Sequence, residues 1–500
     1  LHLTRKLGVE IRQAFEHSNP KYYKAKAMGF WPGKEPKKIK TWREADGNLT
    51  LPRGGLWKLR EILREHDQPY RTIDERIEGT GPRGLPEHTL EPWDHQREWV
   101  NAALEIESGV VRSPVGSGKT SAFLLLACEL GLCSLVIVWS GNLLEQWIDR
   151  IEKELGLRRD EIGIIRGKVW RIRAITIAMQ QTLNSRGVPD NVSQAFGLVG
   201  ADEVQRHAAK TFTDTIDTFP ARYRIGMSDD ERRKDGKEFL IHDLFGRVLH
   251  EVNRKKLEAD GLVLPVEIRV LLTEFDSARY QRQHEQHDCV HEFHVVDEVC
   301  IYCKITRADA PAPPASFNDL LDEMSVDELR NQLIVCAAVA ELEAGEQVLI
   351  FSHRVQHCLN LRGLLAEAGH TAGLLLGGKD NEREFDRTKR AMMDGEMRVA
   401  VGTIQAVGQA IDIPRLGRGI LATPVTTNRQ LLRQVSGRIC RRADGKKDAR
   451  LYVIHDDPIY GTKPIGSLRR RFDTVEVHRG GELVGGDYQT AKEWLKEKRR

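Results

Sequence analysis

Nine short runs of β-branched and aliphatic residues, separated by stretches of helical character, constrain the fold of this chain more than any other feature. Four lie in the first half: LVIVW (135–139), AITIAM (174–179), FGLVGAD (196–202) and RVLLTEF (269–275). Five lie in the second: QVLIFS (347–352), AGLLLG (372–377), RVAVGT (398–403), RGILAT (418–423) and ARLYVI (449–454). Strand-like runs alternating with helices predict parallel sheets covered by helices on both faces. The expected fold class is therefore α/β, with two such blocks in tandem, and 500 residues leave room for roughly three domains.

The blocks are expected at 89–275 and 326–465. Ahead of them, 1–88 is a small basic accessory domain with the turn-like landmark LPRGGL at 51–56. Between them, 276–325 is His- and Cys-rich and runs into the stiff linker APAPPAS at 310–316. A charged tail, 466–500, follows. The net charge of +3 announces no polyanion partner. It is uneven, however: residues 1–90 carry 18 Lys and Arg against 12 Asp and Glu, which suggests a local polyanion contact.

The longest apolar run, Phe123 to Gly141, contains Glu129 and glycine and serine breaks. A buried helix, a turn and a buried strand fit it better than a membrane span. With no export signal visible and clustered rather than paired cysteines, a reducing, cytoplasmic setting is expected.

The first block holds SPVGSGKT (113–120) between a strand-like run and a helical one. Backbone N–H groups of Gly116, Ser117 and Gly118 and the helix N-terminus can wrap phosphates there. Lys119 would neutralise β/γ oxygens, and Thr120 would offer its hydroxyl to Mg²⁺. The apolar run ending in Asp202-Glu203 supplies the acidic partner: Asp202 for Mg²⁺, Glu203 to polarise water. Gln96, 23 residues before Lys119, has a donor and an acceptor for an adenine edge, so ATP is the expected nucleotide. The second block has no phosphate loop. It has RQLLRQVSGRICRR (429–442), where Gln434, Arg438 and Arg441 at i, i+4 and i+7 share a helical face. That face is either a solvated ion-pair surface or a set of fingers for a γ-phosphate.

Taken in order, these segments resemble the superfamily 2 helicases, in the XPB-like and phage UvsW-like branch. SPVGSGKT resembles motif I, LVIVWSGNLLEQW motif Ia, TIAMQQTL motif Ib and ADEVQ motif II. RIGMSDDERRKDG followed by LFGRVLHEV sits where motif III belongs. VLIFSHRVQHC resembles motif IV, VAVGTIQAVGQAIDIP motif V and QVSGRICRR motif VI. The resemblance covers most of 90–455 and implies two RecA-like domains, ATP hydrolysis at their cleft, and a DNA strand, single-stranded or in a branched duplex, crossing both. It implies strand contacts from Thr182, Ser352, Arg354 and Thr403, and a role for Asp412 in the ATP cleft. A small domain ahead of the motor often grips DNA in this branch, which points to Arg53, Lys37, Lys38 and Lys40. The implied setting is a bacterial or phage-type, nucleoid-associated DNA helicase or translocase with no membrane partner. A nucleotide-gated clamp and the motor of a restriction or anti-phage system are the alternatives.

The chain departs from the family pattern in four places. Ser113 replaces Gly or Ala, Gln205 replaces the His of motif II, Ser228-Asp229-Asp230 replaces Ser/Thr-Ala-Thr, and Ala410 replaces Gly. The second and third predict altered coupling of hydrolysis to strand separation, with Arg232 and Arg233 as partners for the added aspartates. Finally, Cys300 and Cys303 form a C-x₂-C knuckle with Cys289 and His291 upstream, His294 being the alternate. That set predicts a closed, zinc-ribbon-like structural Zn²⁺ site in the insert.

Overall fold

The computed structural model describes residues 4–86, 90–207, 210–233, 235–277, 316–410, 413–424, 429–460, 463–479 and 482–483. The chain forms two compact units, Leu1–Asp260 and Gly261–Arg500.

An eight-stranded sheet organises the first unit. Its order is Val248–Glu251, Ser108–Arg112, Tyr223–Ser228, Leu198–Asp202, Ser134–Val138, Ile175–Met179, Gly163–Arg166 and Val169–Arg171. Every pairing is parallel except the last, at the edge. The central strand Ser134–Val138 is buried along its whole length. Val136 and Val138 join Phe123, Leu125 and Trp147 on one face, whereas Leu135 and Ile137 join Phe196, Phe212 and Phe245 on the other. A strand covered on both sides needs this unbroken apolar run rather than alternation. The run from Phe123 to Gly141 is accordingly the helix Lys119–Leu130, a turn through Gly131 at φ +59°, and that strand. Among the described residues no helix is long and apolar enough to cross a membrane.

The N-terminal segment builds a small core of its own from Leu7, Ile11, Phe15 and Leu63. It then docks on the helix Phe239–Phe245 within the same unit. The LPRGGL landmark is the docking point, a 3₁₀ turn at Arg53–Gly55. A Cβ on Gly54 would lie 2.4 Å from the His242 carbonyl oxygen, and one on Gly55 would lie 2.1 Å from the Phe15 ring. Only glycine permits that approach. Alongside it, His17 stacks on Phe239 at 4.0 Å and pairs with the buried Asp243 at 2.9 Å.

The second unit repeats the plan: Gly373–Leu375, Val399–Thr403, Val348–Ser352, Arg418–Leu421, Ala449–Asp456, Val266–Thr273, Val475–Arg479 and Glu482–Leu483, parallel except at the last pairing. Here the structure corrects the boundary drawn from sequence. The strand Val266–Thr273, which contains most of the run RVLLTEF assigned above to the first block, pairs along eight residues with Ala449–Asp456 in the second sheet. Periodicity identifies a strand but carries no information about which sheet it joins.

Candidate active site

Strand order creates the site. Ser108–Arg112, Tyr223–Ser228 and Leu198–Asp202 are parallel neighbours, with Arg112 level with Ser228 and Met227 level with Asp202. Their C-terminal ends bring the phosphate loop, Ser228 and Asp202-Glu203 to one edge of one sheet, where open α/β sheets bind ligands.

The loop is held internally. Gly116 and Gly118 take φ of +92° and +75°, values that favour glycine. The Ser113 N–H donates to the Ser228 carbonyl at 2.8 Å, the Ser113 and Ser117 hydroxyls lie 2.5 Å apart, and Ser117 Oγ donates to the Pro114 carbonyl at 2.6 Å. The serine that departs from the family pattern is thus a working part of the turn. Behind the loop, His95 Nε2 reaches the Ser117 carbonyl at 2.8 Å, and Gln96 Nε2 donates to the Gly118 carbonyl at 3.1 Å. Gln96 Oε1 accepts from the Trp93 N–H at 2.9 Å. The Gln96 amide, expected to meet an adenine edge, is engaged at both ends inside the protein and buttresses the loop. Lys119 and Thr120 open the following helix, whose N-terminal end favours anions.

The charges are set against one another. Lys119 Nζ lies 3.5 Å from Glu203 Oε1. Burial works against the ammonium, but the carboxylates of Glu203, Asp229 and Asp202 more than offset it and raise its pKa. Burial pushes the Asp202 carboxyl up despite Lys119. For Glu203 the attraction of Lys119 and the Gln205 amide outweigh burial and hold its pKa down. Glu203 also sits at φ +56°, ψ +52°, a left-handed conformation that a non-glycine residue rarely adopts. Asp202 is gripped from both sides: Trp147 Nε1 donates to Oδ2 at 2.9 Å and the Glu203 N–H to Oδ1 at 3.0 Å. Each oxygen retains a lone pair, so the carboxylate fits a Mg²⁺ ion or its waters. Trp147 is 55 residues from Asp202 in sequence, and nothing in its own motif reveals the contact.

Gln205 joins the two motifs that depart from the family pattern. Its Nε2 donates to Glu203 Oε2, and its Oε1 accepts from Ser228 Oγ at 2.7 Å. An amide supplies both roles without carrying charge. Of the arginines expected to meet the added aspartates, Arg232 faces Asp230 at 3.8 Å, whereas Arg233 pairs with Asp235 and donates to the Gln205 carbonyl at 2.9 Å. Asp229 contributes to the field on Lys119.

Beneath the site lies His207, fully buried, with Nε2 2.6 Å from the Asp202 carbonyl and Nδ1 2.9 Å from the Gln180 amide. Burial pushes its pKa down to about 4, so the ring is neutral and its N–H goes to the Asp202 carbonyl. The unfolded chain then binds this proton more readily. The stability that neutral His207 contributes is present above the ordinary imidazole value and is lost as pH falls from there through about 4. Denaturant unfolding of wild type and His207→Asn should therefore diverge less at pH 5 than at pH 7.5.

Several residues expected to touch a strand make contacts within the protein. Arg53 donates to the Arg222 carbonyl at 2.9 Å and to Ser108 Oγ at 3.4 Å, and burial lowers its pKa to about 9. Thr182 is buried and accepts from the Gly167 N–H at 2.9 Å. Ser352 is buried and lies 3.0 Å from His357 Nδ1. Arg354 is half-buried, paired with Asp322 at 2.7 Å and bonded to the Asn318 carbonyl at 2.9 Å. Thr403 stands half-buried at a strand end. In the second unit Gln434 and Arg438 lie on the helix Arg429–Ile439, but Arg441 falls beyond its end, in a bridge with Val263, so the three do not share one helical face. Asp412, Cys289, His291, His294, Cys300 and Cys303 lie outside the described residues. Among the described residues no cluster of His, Cys, Asp and Glu could hold a metal ion.

Comparison with known proteins agrees with this geometry. The family described as Type III restriction enzyme, res subunit, matches residues 89–229, which span the phosphate loop through Asp229. The chain is 24% identical over 422 residues to the DNA 3'-5' translocase XPB2 of Sulfurisphaera tokodaii, covering 80% of this chain and 89% of that one. It is 26% identical to the probable helicase D10 of Escherichia phage T5, covering 68% and 66%. A fragment of a putative HsdR subunit of a type I restriction enzyme from Vibrio vulnificus shares the fold at a TM-score of 0.54 and 14% identity, over 80% of this chain and 71% of that one. In its ordered motifs, its two parallel sheets and these similarities, the chain resembles the superfamily 2 helicases.

Proposed function

We propose that this protein is an ATP-dependent DNA helicase or translocase. The observation that carries the proposal is the ionised Glu203 held beside Lys119 at the mouth of a preformed phosphate loop. A carboxylate kept charged there is suited to orient and polarise water in line with a bound γ-phosphate. Lys119 and the loop amides would neutralise phosphate oxygens, and Thr120 and Asp202 would hold Mg²⁺, which would supply further positive charge to the phosphates. By the family resemblance, Asp412 and Gln434 would contact the nucleotide, and Arg438 and Arg441 would serve hydrolysis. The bridge from Glu203 through Gln205 to Ser228 supports a route by which the state of the nucleotide reaches the rest of the first unit.

Steady-state ATP hydrolysis with no polymer, single-stranded DNA, forked duplex and RNA tests the proposal. Stimulation by DNA that vanishes in Lys119→Ala supports a motor. Rates near zero with every polymer, alongside ATP-dependent DNA binding, would replace it with the nucleotide-gated clamp. Trp147→Phe is expected to raise the Mg²⁺ concentration for half-maximal hydrolysis by about tenfold, the worth of one hydrogen bond to a charged group. Unchanged Mg²⁺ dependence would reduce the indole to packing. On residue spacing alone we also assign zinc to Cys289, Cys300, Cys303 and His291, with His294 the alternate. Metal analysis should find one zinc per chain, lost in Cys300→Ser.

A further inference from the structure

We infer that residues 19–37 form a stacking platform for unpaired nucleobases, separate from the motor site. This rests on the DNA reading above but on different residues. Tyr23, Met28, Phe30 and Trp31 are 48%, 59%, 64% and 85% exposed, a concentration of large apolar side chains in water within nine residues. Monomeric proteins rarely leave such a group uncovered unless it meets a ligand.

The projection is built rather than loose. The helix Pro20–Ala27 is capped by Asn19, whose side chain accepts from the Lys21 N–H. Asn19, itself 1% exposed, also donates to the Pro36 carbonyl at 2.9 Å and to Glu35 Oε2 at 3.2 Å. Lys21 pairs with Glu35 at 2.5 Å, and the Phe30 N–H closes on the Ala25 carbonyl at 2.9 Å. The base of the turn is pinned while its aromatic tip is left in solvent.

Charge decides which partner fits. Residues 19–40 contain seven lysines and one acid, Glu35, already engaged by Lys21 and Asn19. Lys24, Lys26, Lys34 and Lys37 are exposed and form no ion pair among the described residues. Aromatic faces between unpaired cations suit a flexible polyanion that carries flat apolar rings. Unstacked bases would lie on Phe30 and Trp31 while the lysines take the phosphates. An apolar protein partner would gain nothing from four unpaired ammonium groups at its rim. A duplex hides its base faces and would use the lysines alone.

The test is equilibrium binding of the full chain, without nucleotide, to single-stranded DNA, single-stranded RNA, a fork with 2-aminopurine at the junction, and blunt duplex. Phe30→Ala/Trp31→Ala should weaken single-strand and fork binding about tenfold or more and abolish the change in 2-aminopurine emission, with blunt-duplex affinity nearly unchanged. The DNA and RNA arms identify which polymer supplies the bases. Trp31→Phe should retain most of the affinity, and the melting transitions of the variants should match wild type, which shows they fold. Equal losses on blunt duplex, or no loss at all, would overturn the platform. Loss of self-association with unchanged nucleic-acid binding would overturn it in favour of a protein surface. Because the binding arms contain no nucleotide and the fold is checked by melting, the motor could fail its own test while the platform passes, and the reverse.

Discussion

Lys119→Ala is expected to lower DNA-stimulated ATP hydrolysis by about 10²–10³-fold, a loss typical of removing one preorganised electrostatic contact to a reacting group. Its cause is not confined to the missing phosphate contact. Lys119 faces Glu203, Asp229 and Asp202. Without its charge the Glu203 pKa loses its strongest depressing influence, and Asp202, already raised by burial, rises further. Both shifts act against ionised carboxylates, so the residual activity should have its pH optimum moved upward. Some stability is lost as well, because the buried carboxylates lose the cation that offsets their burial. A pH–rate profile and a melting curve together check this. A profile merely scaled down, with no shift, would mean that Lys119 acts on phosphate alone.

The second large effect is on stability. Arg330, on the helix Glu328–Glu343, and Asp456, at the end of Ala449–Asp456, form a fully buried pair at 2.8 Å. Thr273, level with Asp456 on the neighbouring strand, donates to the same carboxylate at 2.7 Å. Asp456→Ala leaves a guanidinium without its counter-charge in the interior, which costs about 3–5 kcal/mol. For a unit of this size that lowers its melting transition by about 10 °C. The double variant Arg330→Met/Asp456→Leu should recover most of the loss, since replacing both members of a buried pair by apolar residues is close to neutral. The transition of the first unit should not move. Failure of the double variant to recover would show that Thr273 and the surrounding packing, rather than an orphaned charge, set the cost.

How far each prediction could be reached from sequence differs. Lys119, Asp202 and Glu203 were legible because a phosphate loop and an acidic strand end are local patterns: the chemistry needs particular residue types within a few positions of a strand terminus. The two parallel sheets were legible for a similar reason, since strands buried on both faces are apolar throughout. The Arg330–Asp456 pair was not legible, being 126 residues apart in chain and adjacent only through strand order.

Tertiary structure alone decided the rest. It moved the strand Val266–Thr273 from the first sheet to the second, because pairing depends on where a strand edge is free and not on the strand's own composition. It turned Gln96 inward onto the loop and Arg53 into a docking strut, because a polar side chain takes whichever partner burial leaves it. It removed Arg441 from the face of Gln434 and Arg438, because helical spacing places residues together only while the helix lasts. It also revealed Trp147, Gln205 and His207 as the support of the acidic pair, through hydrogen bonds that follow from packing rather than spacing. The sequence by itself determined which chemistry the chain carries and in what order along it. Which side chains hold that chemistry in place was decided only when distant strands came to share an edge.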